Sequence, residues 1–171
     1  SLLYYNIDWI KKDHLPEDTP YFHAQHRQEY PVQPGLDYVI LDTPPRLSLL
    51  TVNVFAYADE VLVPLQCEYF ALEGISELIN TIRRVQNGAN PRLTIAGILL
   101  TMYDERTNLS REVAQEVRRH FSSAVYETIV PRNVRLAEAP SFGQPILQYD
   151  IKSRGAEAYL GLAREFIERA A

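Results

Sequence analysis

The residue with the clearest chemical potential is Asp42, which directly follows a short apolar run and precedes two prolines. The run, residues 38–41, is apolar at every position, which is typical of a strand buried on both faces of a parallel sheet. Because burying an ionised carboxylate costs free energy, Asp42 is expected at the strand's end, facing water, a metal ion or a hydrogen-bond donor. Ligands of open α/β sheets bind at that end. Taken alone, the pattern also fits a strand that ends in a polar turn.

Three histidines, His14, His23 and His26, could suggest a metal site. They have no nearby cysteine and no H-E-x-x-H pattern, so surface histidines in an irregular segment are the better interpretation. They fall in residues 1–36, where aromatic residues, histidines and prolines crowd together and no periodicity continues beyond a short helix predicted over residues 7–12. We interpret residues 1–36 as an atypical N-terminal arm without an assigned function.

Composition limits the class of protein. The chain has 171 residues, of which 46% are hydrophobic and 23% charged, as expected for one globular domain with a real core. The formal net charge is −5, so contact with nucleic acid would need a local basic patch. The single cysteine, Cys67, excludes an internal disulfide and fits a reducing compartment. With no apolar run long enough to span a bilayer and no visible signal peptide, we expect a cytoplasmic protein without membrane contact.

From residue 37 onward the pattern alternates between strand and helix. Apolar residues of the helix after residue 66 recur at intervals of three and four, and Val113, Val117 and Phe121 form the apolar face of the next. Strands are predicted over 38–41, 60–65, 93–101 and 125–130, and helices over 47–57, 66–87, 107–121 and from 153 to the C-terminal region. Ala156, Leu160, Ala163 and Ile167 are predicted to line one face of the last helix. Such alternation implies right-handed βαβ units and a mainly parallel sheet within one domain, residues 37–171.

Four segments, in this order, resemble the motifs of the ParA/Soj partition ATPases, which belong to the deviant-Walker ParA/MinD superfamily of P-loop proteins. They read D-Y-V-I-L-D-T-P-P at 37–45, P-L-Q-C-E-Y-F-A-L-E-G at 64–74, L-L-T-M-Y-D-E-R-T-N-L at 99–109 and P-R-N-V-R-L-A-E-A-P-S-F-G-Q-P-I at 131–146. The resemblance implies a three-layer α/β fold of the P-loop NTPase type and a role in chromosome or plasmid segregation.

The resemblance also implies roles for single residues. Asp42 would be the Walker B aspartate that holds the water shell of Mg²⁺. Pro131, Arg132 and Asn133 would border the adenine of ATP, although an ordinary polar turn after a strand would have the same sequence pattern. Arg106 and Arg135 match the family's arginines for non-specific DNA. ATP and Mg²⁺ would be the cofactors, and a ParB-like protein, a second copy of the chain and the nucleoid the partners.

One departure from the family pattern leads to two hypotheses about the function of the chain. Among the 7 glycines none forms the K-G-G-x-G-K-T loop that cradles the phosphates, and the family's first strand is missing with it. Asp42 would then be vestigial, and we expect no ATP hydrolysis by this chain alone. The chain is either the C-terminal portion of a partition ATPase or a non-catalytic DNA- or partner-binding module that has lost nucleotide control.

The helix over residues 107–121 adds charge of both signs beside Arg106. Its basic residues Arg111, Arg118, Arg119 and His120 would extend a DNA-binding patch, whereas Glu112 and Glu116 could equally pair with them as ordinary helix neighbours. Residues 68–73 resemble the family's surface near the dimer interface, but acidic residues are also favoured where a helix begins. Binding to DNA is therefore expected to be weak and without sequence preference.

Overall fold

The computed structural model describes residues 2–6, 37–43 and 48–170 of the chain. The helix predicted over residues 7–12 and the histidines His14, His23 and His26 lie outside the described residues. The chain divides into two compact units, residues 1–61 with 76–94 and residues 62–75 with 95–171. No structural feature tests the predicted boundary at residue 36.

Strands and helices alternate along the described chain, as predicted. The strands are β1 (Leu2–Asn6), β2 (Tyr38–Asp42), β3 (Glu60–Gln66), β4 (Thr94–Tyr103) and β5 (Val125–Pro131). The helices are α1 (Leu49–Tyr57), α2 (Ala71–Gln86), α3 (Asn108–Phe121), α4 (Val134–Glu138), α5 (Ile146–Tyr149) and α6 (Arg154–Ala170), with 3₁₀ turns at Ser122–Ala124 and Ala139–Phe142. β1 and β2 pair in parallel, and β3, β4 and β5 form a sheet in that order, with β4 and β5 parallel. The predicted α/β fold with a parallel sheet is confirmed.

β1 lies in residues 1–36, where no strand is predicted. It pairs with β2 from Leu2 opposite Tyr38 to Asn6 opposite Asp42. The sequence L-L-Y-Y-N is too short to show a period, and its crowded polar and aromatic surroundings obscure its apolar run. The sequence after Asn6 reads I-D-W-I-K-K, so β1 is not followed by a glycine-lysine loop.

β2 corrects a second expectation, that its run is buried on both faces. Tyr38 is 37% exposed and Ile40 is 45% exposed, whereas Val39 and Leu41 between them are half-buried. This alternation belongs to a strand with one covered face. A continuous apolar run therefore did not distinguish a strand buried on both faces from a strand covered on one face, because apolar side chains are also common on protein surfaces.

β4 is the central strand of the three-stranded sheet, and its residues Ile98, Leu99 and Leu100 are almost inaccessible to solvent. α6 packs against the core cluster of Leu99, Tyr126 and Val130. Its contacts come from Ala158, Leu162 and Phe166. Of the predicted inward face, Ala156 is buried, but Ala163 is exposed and Ile167 is 55% exposed. The apolar stripe is rotated because Leu162 and Phe166 offer more apolar area than Ala163. Among the described residues, no helix combines the length and apolar composition needed to cross a membrane.

A bulge in β5 sets the register between β4 and β5. Ile98 lies opposite Val125 and Leu100 opposite Ile129, so β5 advances four residues where β4 advances two. Gly97 permits this arrangement. Its φ is +156°, and a Cβ there would lie 2.5 Å from the Tyr126 ring and 2.9 Å from the Ala124 carbonyl oxygen. Glycine is therefore required where the bulged strand approaches β4.

Candidate functional site

The carboxyl ends of β3, β4 and β5 meet at one edge of the sheet. Tyr103 lies opposite Pro131 in the parallel pair of β4 and β5. The Cys67 N–H donates to the Thr101 carbonyl at 3.0 Å, and the Arg132 N–H donates to the Tyr103 carbonyl at 2.9 Å. These bonds hold the loops that follow the three strands side by side. We call these loops, residues 67–70, 104–107 and 132–133, the carboxyl edge.

Ser110, for which the sequence gives no functional signal, joins two loops of the carboxyl edge. It is 5% exposed, and its hydroxyl donates to the Cys67 carbonyl at 3.3 Å and accepts from the Asp104 N–H at 3.4 Å. Thr107 caps α3 by accepting from the Ser110 N–H at 3.3 Å. A serine in the first turn after a threonine cap is common in any helix, so its linking role is visible only in three dimensions.

Arg106 lies in the loop between β4 and α3 and binds Asp104 in a bidentate ion pair. The guanidinium Nε donates to Oδ1 at 2.9 Å, and Nη2 donates to Oδ2 at 2.7 Å. The arginine side chain is 83% exposed and the aspartate side chain 16% exposed. Hydrogen bonding to Arg106 lowers the pKa of Asp104 to about 2, so this carboxylate is ionised at every physiological pH.

Arg132 carries a second positive charge at the carboxyl edge. Its Nη2 donates to the Glu68 Oε1 at 3.2 Å, which spans the loops that follow β5 and β3. Both side chains are about half exposed. The charge of Arg132 also contributes to the lowered pKa of Asp104. The structure therefore brings together two of the predicted site residues, Arg106 and Arg132, around one aspartate that was not predicted.

A groove of about 550 Å³ is lined by the predicted adenine-edge residues Pro131, Arg132 and Asn133, together with Thr101 and Met102. Asn133 is the N-cap of α4, because its side-chain oxygen accepts a hydrogen bond from the Arg135 N–H at 2.8 Å. Its acceptor is engaged, which leaves the amide NH₂ as the group that a ligand would meet.

Arg135 lies in the first turn of α4 with its side chain 54% exposed. Its Nη1 donates to the Glu138 Oε2 at 3.0 Å, and its Nε lies 3.5 Å from the Asp150 Oδ2. The Tyr149 hydroxyl donates to the same Glu138 oxygen at 3.1 Å. The interactions with Glu138, which are the largest cause, and with Tyr149 raise the pKa of Arg135 above its usual value. Both predicted DNA arginines are therefore exposed and fully charged, and each is paired with carboxylate.

Three of the basic residues of α3 lie near carboxylates, and the fourth binds neutral oxygens. Arg119 and His120 both lie near Glu116, at 3.5 Å and 3.6 Å. Arg118 lies 3.5 Å from Glu127. The Arg111 guanidinium donates to the backbone carbonyl of Glu105 at 2.8 Å and to the Asn108 side chain. Glu116 is therefore an ordinary ion-pair partner on the same helix, as one of the two interpretations expects. Its negative charge reduces the net positive charge of the basic patch.

Two exposed aromatic residues lie beside the carboxyl edge and were not predicted as site residues. Tyr69 is 76% exposed and Phe70 is 72% exposed, and their rings meet edge to face with centroids 5.1 Å apart. They line an open groove of about 940 Å³ with Leu109 and Cys67. Adjacent aromatic residues before a helix are the sequence signal that would have marked them. Cys67 itself is buried, and burial raises its pKa to about 11.

Asp42 ends β2 with its side chain exposed, as predicted for a strand-end aspartate. It belongs to the first compact unit, whereas Arg106, Arg135 and residues 131–133 belong to the second. Within the second unit the predicted site residues follow neighbouring strands.

Comparison with known proteins identifies the family. A family model described as an AAA domain matches residues 22–95. The chromosome partitioning protein ParA of Myxococcus xanthus (strain DK1622) is 58% identical over 139 residues, which are 81% of this chain and 49% of that protein. The sporulation initiation inhibitor protein Soj of Bacillus subtilis (strain 168) is 56% identical over 134 residues, 78% of this chain and 53% of that protein. The chain thus spans about half the length of the curated relatives it matches.

Solved structures share the fold. The cell division ATPase MinD of Pyrococcus furiosus matches 80% of this chain and 53% of its own with a TM-score of 0.63, and its 24% identity supports the fold alone. Cobyrinic acid a,c-diamide synthase from Mycobacterium smegmatis, with bound ATP analogue and magnesium, is 34% identical, with a TM-score of 0.59 over 85% of this chain and 51% of that one. The four motifs and the identities agree: the chain belongs to the ParA/Soj family.

Proposed function

We propose that this chain acts in the partition of a chromosome or plasmid and binds DNA phosphates, without sequence preference, through Arg106 and Arg135. The observation that carries the proposal is the placement of these residues. Both side chains are exposed, by 83% and 54%, and they follow the neighbouring parallel strands β4 and β5 at one edge of the sheet. Exposed arginines at one edge supply affinity for a phosphate backbone and read no bases.

The names of the relatives support this assignment. The Myxococcus xanthus relative is a chromosome partitioning protein, and its identity of 58% extends over most of this chain. By the same family resemblance, the partners of this chain would be a ParB-like protein and a second copy of the chain, and its place in the cell would be the cytoplasm at the nucleoid.

The test is fluorescence anisotropy of the 171-residue chain on two unrelated DNA duplexes at low salt. Replacing Arg106 and Arg135 together by alanine should lower the affinity for both duplexes about tenfold, since each exposed pair contributes on the order of 0.5–1 kcal/mol. The matched control removes Arg83 and Arg84, two exposed arginines in the last turn of α2. If R106A/R135A binds both duplexes as the parent does, the proposal is wrong.

Nucleotide is the second part of the family's chemistry, and the residues present fit it in part. The groove beside residues 131–133 offers the Asn133 amide to a purine. No glycine-lysine loop occurs in the 171 residues to neutralise a triphosphate and position Mg²⁺ near Asp42. The second candidate function is a DNA- or partner-binding module without nucleotide control.

Calorimetric titration with Mg-ATP tests the second candidate. For the 171-residue chain we expect a dissociation constant weaker than about 1 mM, which corresponds to about −4 kcal/mol. Sedimentation should be unchanged by Mg-ATP. A sub-micromolar, magnesium-dependent isotherm, or a shift from monomer to dimer on adding nucleotide, would show that the chain binds ATP in the manner of its family and would exclude the second candidate.

A further inference from the structure

We propose that Asp104 competes with DNA phosphate for Arg106 and thereby limits the affinity of the carboxyl edge for DNA. The proposal rests on the proposed function, since it concerns the regulation of the same contact. It assigns to Asp104 a role that the sequence does not indicate: the aspartate binds the guanidinium in the way that a phosphate would.

The geometry of the pair supports competition. Asp104 takes Nε and Nη2 of Arg106, the two donors of one edge of the guanidinium, at 2.9 Å and 2.7 Å. Carboxylate and phosphate both present two oxygens at the spacing of that donor pair, so one excludes the other from this edge. A phosphate that approaches Arg106 must displace the aspartate or use the remaining donors.

Asp104 is also the better fixed partner of the two. Its side chain is 16% exposed, against 83% for Arg106. The Asp104 N–H donates to the buried Ser110 hydroxyl at 3.4 Å, and its Oδ1 additionally accepts from the Arg106 N–H at 3.1 Å. Arg132 lies close enough for its charge to stabilise the ionised carboxylate. Release of Arg106 toward DNA therefore leaves Asp104 in place, ready to bind it again.

Arg135 shows the same arrangement on α4. Glu138 and Asp150 take its Nη1 and Nε at 3.0 Å and 3.5 Å. Both arginines assigned to DNA therefore carry an intramolecular acidic partner. Exposed pairs of this type contribute little free energy, so a phosphate can displace them, yet each displacement reduces the gain from binding.

The test is a double-mutant cycle on the 171-residue chain, read by anisotropy on a long duplex at low salt. Asp104→Asn keeps Oδ1 as acceptor for the Arg106 N–H and removes the competing charge. We expect D104N to bind DNA about two- to fivefold more tightly, the range for an exposed ion pair, with a log affinity against log salt slope steeper by up to about 0.9. In D104N/R106A the gain should vanish, so that this variant binds like R106A.

Glu105→Gln is the charge-matched control. Glu105 is adjacent in the same loop, is 67% exposed and lies 3.8 Å from Arg154, without a side-chain hydrogen bond to Arg106. E105Q should therefore change the affinity less than D104N does. An equal gain from D104N with and without Arg106 would show a general charge effect and overturn the proposal. Weaker binding by D104N would also overturn it, because Asp104 would then position Arg106 for DNA.

Failure of this inference is distinguishable from failure of the proposed function. If R106A weakens binding while D104N does not strengthen it, DNA binding through Arg106 stands and competition by Asp104 is wrong. If R106A/R135A binds like the parent, the arginines are not DNA contacts and both proposals fail. Equal thermal midpoints of D104N, E105Q and the parent establish that the comparison is made between folded proteins.

Discussion

At the scale of single residues, exposed arginines of the second compact unit are balanced locally by carboxylates. Arg106 pairs with Asp104, Arg135 with Glu138 and Arg119 with Glu116. Such exposed pairs exchange partners at little cost, because solvent screens them and the side chains lose entropy when they are held. A chain of net charge −5 can therefore bind DNA weakly through a few arginines without a strong positive field.

Cys67 gives a prediction at the same scale. Burial raises the pKa of its thiol from 9.0 to about 11, so iodoacetamide at pH 8 should modify the folded chain far more slowly than the urea-unfolded chain. The folded state binds more protons than the unfolded state between about pH 9 and about pH 11, so stability should fall as pH rises through this window. Urea denaturation of the parent and of Cys67→Ala checks the sign: the part of the pH-dependent loss due to the thiol should be absent in the alanine variant. Rapid alkylation of the folded chain at pH 8 would contradict the account.

At the scale of elements, the register of β4 and β5 positions the arginines. Tyr103 faces Pro131 at the end of the pair, so the loops with Arg106 and Arg135 leave the sheet at the same edge. The bulge that precedes this pairing depends on Gly97, where the bulged strand comes too close for a side chain. A defect at the amino end of β4 would therefore alter the spacing of the loops at its carboxyl end.

Gly97→Ala should be strongly destabilising. The new Cβ would lie 2.5 Å from the Tyr126 ring at a φ of +156°, so a core ring or the backbone must move. We expect a loss of about 2–4 kcal/mol in the free energy of unfolding, from overpacking and backbone strain together. Gly88→Ala is the matched control, since its Cβ would meet only the Arg84 carbonyl oxygen at 3.6 Å. Equal urea midpoints for the two variants would show that the close approach at Gly97 is unimportant.

The helical periods of the sequence predicted the elements well and their orientation less well. The apolar interval of three and four in α2 agrees with the burial of Ile75, Ile82 and Val85. For α6 it held only in part: Ala156 is buried, but Ala163 and Ile167 are exposed, and Leu162 and Phe166 pack against the core instead. The apolar pattern of one strand likewise does not show whether one or both of its faces are covered: Ile40 of β2 lies in an apolar run and is 45% exposed.

At the scale of the whole molecule, the four motifs in their order predicted the family, and the alternation of strands and helices predicted the parallel sheet. Sequence did not predict what the site residues contact. Asp104 and Ser110 carry no individual signal, because their roles come from loops that only the fold brings together. For Tyr69 the only signal is its position next to Phe70, directly before a helix. The partners of Arg135 were not predicted either. Glu138 is a neighbour on the same helix, whereas Asp150 lies fifteen residues away along the chain.

The salt dependence of DNA binding tests the central claim most directly. Each phosphate neutralised by an arginine contributes about −0.9 to the slope of log affinity against log salt concentration. For a long duplex measured across a salt series, the R106A/R135A slope should be shallower than the parent's by up to about 1.8, and the R83A/R84A slope should equal the parent's. The same difference on an unrelated duplex would show that the contacts read no sequence. Identical slopes and affinities for R106A/R135A and the parent would contradict the account, because Arg106 and Arg135 would then be surface charges that never meet a phosphate.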